Sequence, residues 1–285
     1  MKKVHYFSVC CLVLTSLFSS FAQSGKPLYT FPLGAQAYTF RNSFPKGIVQ
    51  TLDTIQALGI TELEGNVPQG ISAEAYLKLL KERNIKVPST GAGYEEIVAN
   101  PLDVVKKAKA LGAKYVMVAW IPHKGNFGWD ETQQAVKDFN KVGKVLQENG
   151  ITFCYHIHGY EFVEYQNGTL FDYLVQNTNP QYVSFELDML WAFHGGANPE
   201  KLLDKYGKRF KMLHVKDLRK GVKGDHSGST PVTNDVTLGT GQIDVAGIIR
   251  KAKKLGIKHY FIEDESPIQN IQVPQSIAYL KSLKE

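Results

Sequence analysis

Cysteine is nearly absent from this chain. Cys10, Cys11 and Cys154 are the three in 285 residues, and the first two sit in a short apolar run at the N-terminus. A lone Cys154 beyond that run excludes an internal disulfide, so the remaining chain must be stable through its core. Long apolar stretches are also missing: Val9 to Phe18 is too short to span a bilayer permanently. No glycine-rich cradle of the P-loop type is present to hold a phosphate. A large excess of one sign of charge is missing too. The net charge is +6, and the lysine groups Lys106, Lys107, Lys109 and Lys251, Lys253, Lys254 fall at helical spacing, as solvated helix faces do. A nucleic-acid stripe is not expected on that footing.

Lys2 and Lys3, then the apolar run, then the small-x-small pattern Ser20-Phe21-Ala22 follow the order of a secretory signal peptide. The expectation is a leader over residues 1–22 and one domain over 23–285, exported to the periplasm or secreted, with no membrane attachment after cleavage. Removing two lysines leaves 31 basic against 27 acidic residues, about +4. Nothing divides the remainder, and 43% hydrophobic content suits one large core. A homo-oligomer is compatible with the sequence and not specified by it.

From Leu33 onward short apolar runs alternate with segments of helical period. Eight strands are expected: Leu33–Phe40, Thr61–Gly65, Val87–Gly91, Tyr115–Trp120, Thr152–His158, Ser184–Leu190, Met212–Asp217 and His259–Glu265. Between them, residues such as Ile48, Leu52, Ile55 and Leu58 repeat at helix spacing. Leu58-Gly59-Ile60, Leu111-Gly112-Ala113 and Leu255-Gly256-Ile257 repeat one device, a helix ended by glycine before the next strand. Eight βα units predict a closed (β/α)8 TIM barrel, whose chemistry sits at the C-terminal ends of the strands. Two connections on that side are long. Ile121–Asp130, with His123, reads as a lid, and Leu218–Gln242 as either a second cover or a surface excursion.

Polar residues collect at those strand ends. Alternation in Thr152–Glu164 puts Cys154, His156 and His158 on one face of the fifth strand, with Glu161 and Glu164 beyond it. Cys154 then faces inward as an inert buried thiol. Glu64 ends the second strand, Asp188 the sixth, His214 and Lys216 the seventh, and Glu263, Asp264 and Glu265 the eighth. Such charges repel unless neutralised; a divalent cation with mixed O and N ligands does this, and an ion-pair network is the alternative.

YHIHGYEF, ELDMLWAFHGGANPEKLLDKYGKRFKMLHVKD, GTGQIDVAGII and YFIEDES together resemble the sugar phosphate isomerase/epimerase family, which has the xylose isomerase-like TIM barrel. The resemblance covers essentially all of the chain after the leader. It implies one divalent metal (Mn, Co, Mg, Zn or Fe) on Asp188, His214, Glu263 and a fifth-strand ligand. That ligand is either Glu161, swinging back from the loop and narrowly favoured, or His156, standing where epimerases have glutamate. Trp191 replaces a histidine of endonuclease-type relatives, which argues against phosphodiester cleavage.

The implied chemistry is proton abstraction next to a carbonyl through a metal-stabilised enediolate; the expected export and the missing phosphate cradle depart from the family's name and point to a free or keto-modified sugar rather than a phosphorylated one. His156, His158, Glu161 and Glu263 are its acid–base candidates, and Lys216 is placed to bond the developing oxyanion. Glu64, Tyr38, Trp120, His123 and Trp191 are the expected substrate contacts. An isomerase/epimerase is the leading reading. A lyase or dehydratase of the same chemistry, a metal-dependent hydrolase and a non-catalytic carbohydrate-binding barrel are the alternatives.

Overall fold

Each apolar run becomes a short parallel strand. The computed structural model describes residues 25–285, so the expected leader lies outside the described residues. The strands are β1 Gly34–Gln36, β2 Glu62–Glu64, β3 Ser89–Gly91, β4 Tyr115–Val118, β5 Thr152–His156, β6 Val183–Asp188, β7 Phe210–Val215 and β8 His259–Ile262. They are hydrogen-bonded in the order β2-β1-β8-β7-β6-β5-β4-β3. The ring closes where Leu63 N donates to Lys86 O at 2.8 Å and Gly65 N to Ser89 O at 3.1 Å. This is the expected barrel.

Around it lie α1 Ile48–Ala57, α2 Ala73–Glu82, α3 Tyr94–Ala99, α4 Pro101–Leu111, α5 Trp129–Glu148, α6 Leu170–Asn177, α7 Met189–His194, α8 Pro199–Tyr206, α9 Val245–Lys254 and α10 Gln269–Ser282. Helix α5 shows why they pack. Ala135, Phe139, Val142 and Leu146 form one buried stripe, and each large apolar side chain so buried contributes about 1.5–3 kcal/mol. Phe139 lies between Phe153 and Tyr155 of β5, with ring centroids at 4.9 and 5.1 Å. Helix α4 ends as expected at Gly112, with φ of 73°, and Asn84 serves the same left-handed turn after α2 with φ of 53°.

The strands stop earlier than the apolar pattern predicts. β1 ends at Gln36 because its side chain accepts from Tyr38 N at 2.7 Å and coils Ala37–Phe40 into a 3-10 turn. β6 ends at Asp188 because that carboxylate caps α7, accepting from Trp191 N at 2.8 Å. The polar strand ends therefore leave the sheet and turn across the mouth.

Inside, Met117, Cys154, Met212 and Phe261 form an apolar plug below the mouth. Cys154 is fully buried and burial pushes its thiol well up, consistent with the inert role expected of it. At the opposite end Leu28 N donates to Leu283 O at 2.9 Å, tying the first described residues to the last helix.

Candidate metal centre and active site

Register decides which polar groups meet. His156 pairs with Glu186 across β5 and β6, and Asp188 with His214 across β6 and β7. All four point inward, so they form one block at the C-terminal end of the barrel. Nε2 of His156 lies 3.9 Å from Asp188 Oδ2, and Nδ1 of His214 lies 3.8 Å from the same oxygen and 3.0 Å from Glu263 Oε2. Asp188 Oδ2 is buried without a hydrogen-bond partner.

A divalent cation fits this arrangement. One donor each from His156, Asp188 and His214 lies within 4.8 Å of the others, and Glu263 Oε2 stands beside them. The orphaned Asp188 oxygen has a use only if a cation or donor faces it. Two imidazoles and two carboxylates suit a borderline or hard divalent ion of the kind expected.

On β5 the structure brings His156 to this group and leaves Glu161 out, reversing the preference drawn from the sequence. Gly159 turns the chain at φ of 94° and sends Glu161 behind β5. There its Oε1 accepts from the Tyr155 hydroxyl and from His158 N at 2.9 Å. Burial raises its pKa to about 7. Glu64 also departs from expectation: it is fully buried below the mouth, with Oε1 2.7 Å from His214 Nε2, so it does not face a substrate.

The upper wall of the mouth is aromatic and basic. Trp191 stacks on His158 at 4.4 Å and 21°. Burial, then the Lys216 charge, lowers the His158 pKa to about 4, so its imidazole is neutral; its Nδ1 is buried without a partner. Lys216 is 1% exposed, with Nζ 2.9 Å from Glu265 Oε1, 3.2 Å from Glu263 Oε2 and 3.7 Å from Asp235 Oδ2. Burial works against its charge, but Asp235 and Glu263 outweigh it and hold it protonated. Burial likewise opposes ionised Glu263, yet Lys216 and His214 keep it well below the carboxylate range.

The cavity of about 440 Å³ is lined by Gln36, Tyr38, His156, His158, Trp191, His214, Glu263 and residues of the Leu218–Gln242 loop. Trp120 is half-exposed at the rim, edge-on to His158. His123 stacks on Trp120 at 4.7 Å and is outside the lining. The first mouth loop is pinned to the barrel instead of covering it: Ile121 N donates to the Tyr160 hydroxyl at 2.9 Å and Phe127 packs on that ring.

The cover comes from the second loop, which places Gly228, Ser229, Thr230, Val232 and Asp235 on the cavity. Asp217 organises it, accepting from Leu218 N and Gly239 N at 2.9 Å, Gly241 N at 2.9 Å and Ile243 N at 3.1 Å. Sequence reasoning missed Glu186 and Asp235. Glu186 shares strand parity with Asp188 and was legible in principle; Asp235 arrives from a loop with no period to read.

A family model described as xylose isomerase-like TIM barrel matches residues 52–283. A protein named inosose dehydratase from Clostridium botulinum (strain Alaska E43 / Type E3) is 26% identical over 179 residues, 56% of this chain and 59% of the relative. The chain spans about half the length of the curated relatives it matches, between 40% and 60% in the three most similar reported matches. Among solved structures, a sugar phosphate isomerase/epimerase from Parabacteroides distasonis ATCC 8503 superposes with a TM-score of 0.75 at 22% identity, covering 89% of this chain and 98% of that one. The IolI protein with a binding zinc atom gives 0.70 at 16% identity, covering 88% and 95%. At these identities the structural likeness is one of fold.

Proposed function

The chain belongs to the xylose isomerase-like TIM barrel family, and from that premise we propose that it is a divalent-metal-dependent enzyme that removes a proton next to the carbonyl of a free or keto-modified sugar, as an isomerase or epimerase. The observation that carries this reading is the convergence of His156, Asp188, His214 and Glu263 on one point of the mouth, with His158 in the lining and Lys216 paired to Glu263 behind it.

The four converging residues would hold the cation, which when bound supplies Lewis-acid polarisation of a carbonyl. His158 is the proton acceptor: its ring is neutral and lines the cavity. Lys216, buried against Glu263 and Glu265 of the lining, gives the mouth a fixed positive charge that favours the negative charge gained by oxygen as the proton leaves. Trp191 provides an apolar wall for the carbon face of a sugar. Asp235 and the loop carrying it restrict water.

Return of the proton from His158 to the neighbouring carbon, with a hydroxyl proton passing between the two oxygens, completes an isomerisation. Return to the opposite face, which takes its proton from a second acid or water on that side while His158 keeps the one it removed, completes an epimerisation. A second reading, loss of a β-hydroxyl as in a dehydratase, is favoured by one observation: the similar curated proteins are named inosose dehydratase.

The test is incubation of the Zn²⁺-, Mn²⁺- or Co²⁺-loaded protein with keto- and aldo-sugars and inososes in D₂O, followed by NMR and mass spectrometry. Deuterium at a carbon next to a carbonyl is expected, with an isomerised product for the first reading and loss of water for the second. Metal loading without exchange on any member of the panel would overturn both in favour of hydrolysis or binding.

A further inference from the structure

Each imidazole in the mouth has two ring nitrogens, and only one of them faces the converging donors. His156 turns Nε2 toward Asp188, and its Nδ1 lies 3.2 Å from Glu186 Oε2. His214 is arranged in the opposite sense, with Nδ1 toward Asp188 and Glu263 and Nε2 2.7 Å from Glu64 Oε1. The rings themselves lie 4.5 Å apart. A neutral imidazole offers one N–H and one lone pair, and an ionised carboxylate only accepts.

Glu186 and Glu64 are fully buried and absent from the cavity lining. They lie beneath the mouth, on the far side of the two imidazoles from Asp188 and Glu263. Each also keeps one carboxylate oxygen without a partner, Glu186 Oε1 and Glu64 Oε2. Two buried acids side by side repel and are costly to keep. Glu64 reaches only the rear nitrogen of His214, whereas Glu186 Oε2 lies between the two rear nitrogens, 3.2 Å from His156 Nδ1 and 3.4 Å from His214 Nε2, and with Glu64 already on His214 it is the partner left for His156.

We propose that Glu186 and Glu64 are positioning residues that lock His156 and His214 into opposite tautomers, so that both free lone pairs converge on one cation. Glu186 accepts Nδ1–H of His156, leaving Nε2 free; Glu64 accepts Nε2–H of His214, so that Nδ1, which faces Glu263 Oε2 at 3.0 Å, is the nitrogen that gives up its proton when a cation binds. The device compensates for an uncharged ligand on β5. An imidazole there swivels about its side chain unless its second nitrogen is held, and Glu186 is the residue that the β5–β6 register sets beside it. Removal of such outer partners typically weakens metal affinity 10–100-fold. The inference rests on the metal reading above.

The experiment is titration of the metal-stripped full chain with Zn²⁺ and with Co²⁺ against a competing chelator, comparing wild type with E186M, E186Q and E64Q. E186M, which has no acceptor, is expected to bind about 10–100-fold more weakly, and E186Q and E64Q to fall between it and wild type. In ¹⁵N spectra of the zinc-loaded protein the His156 ring is expected to carry its proton on Nδ1 in wild type, with altered signals in E186M. Thermal unfolding of the metal-free variants is expected to match or exceed wild type, which separates loss of positioning from loss of folding. Equal affinity in wild type and a folded E186M, or a His156 proton on Nε2, would overturn the inference alone. No Zn²⁺ or Co²⁺ uptake by wild type would overturn the metal reading and this inference with it.

Discussion

Lys216 and Glu263 stand 3.2 Å apart, both inside the barrel mouth, with Glu265 completing the charge on the far side of the ammonium at 2.9 Å. Removing one member of such a group leaves the others buried and unbalanced, at a cost of about 3–5 kcal/mol. Lys216→Met is therefore expected to lower the urea midpoint by a corresponding amount. Solvent exchange on substrate should fall on the order of a hundredfold or more, the scale for loss of one charge-stabilising donor. Unchanged exchange in a folded Lys216→Met protein would remove Lys216 from the chemistry.

His156 and Glu161 are separated by a turn, and metal titration distinguishes them. His156→Ala is expected to weaken Zn²⁺ binding at least as far as loss of an outer partner does, about 10–100-fold. Glu161→Gln should leave it unchanged, because the Glu161 carboxylate is bonded to Tyr155 and His158 N behind β5. The opposite ranking would return Glu161 to the metal.

Asp217 holds the loop that covers the mouth through four backbone N–H groups. Asp217→Ala leaves those donors unsatisfied, each at about 1–3 kcal/mol if it stays buried, so the loop is expected to open locally. Hydrogen exchange and limited proteolysis should rise across residues 218–242 while the barrel strands stay protected. Uniform loss of protection throughout the barrel would show that Asp217 supports the fold as a whole.

Asp172 sets a pH dependence away from the mouth. Burial would raise its pKa, but hydrogen bonds from Lys205 at 2.8 Å and Tyr206 at 2.7 Å outweigh burial and lower it. A depressed carboxylate stabilises the fold above its unfolded pKa, and that stability is lost as pH falls through the folded value. Asp172→Asn should thus be less stable than wild type by about 1 kcal/mol or less near neutral pH, since solvent screens the exposed Lys205 partner. The gap should close on acidification below the ordinary aspartate range, measured by denaturation at stepped pH. A gap independent of pH would assign the effect to packing.

The leader expectation has its own measurement. Export and cleavage after Ala22 would leave Gln23 as the first residue, two positions before the first described residue, Gly25. N-terminal sequencing of protein recovered from outside the cytoplasm is expected to begin Gln-Ser-Gly. An intact Met1 in that fraction would reject cleavage.

Much of the architecture is a local property of the chain. Period-two strands, helical stripes such as Ala135, Phe139, Val142 and Leu146, and the glycine-ended helices repeat often enough to require a barrel. Strand parity put His156 and His158 on one face of the fifth strand, and the ends of the apolar runs put Asp188, His214 and Lys216 at the mouth. Neither could say which groups touch, because contact depends on the register between strands, set by packing of the whole ring. That register paired His156 with Glu186 and Asp188 with His214, while the turn at Gly159 carried Glu161 to the outer side of β5. Glu64, polar and at a strand end, looked like a substrate contact; only the closed barrel put it under His214. Period and residue type are enough to set the fold and the kinds of donor available at the mouth. Which donors converge, and which stand behind them, depends on distances between strands far apart in the chain.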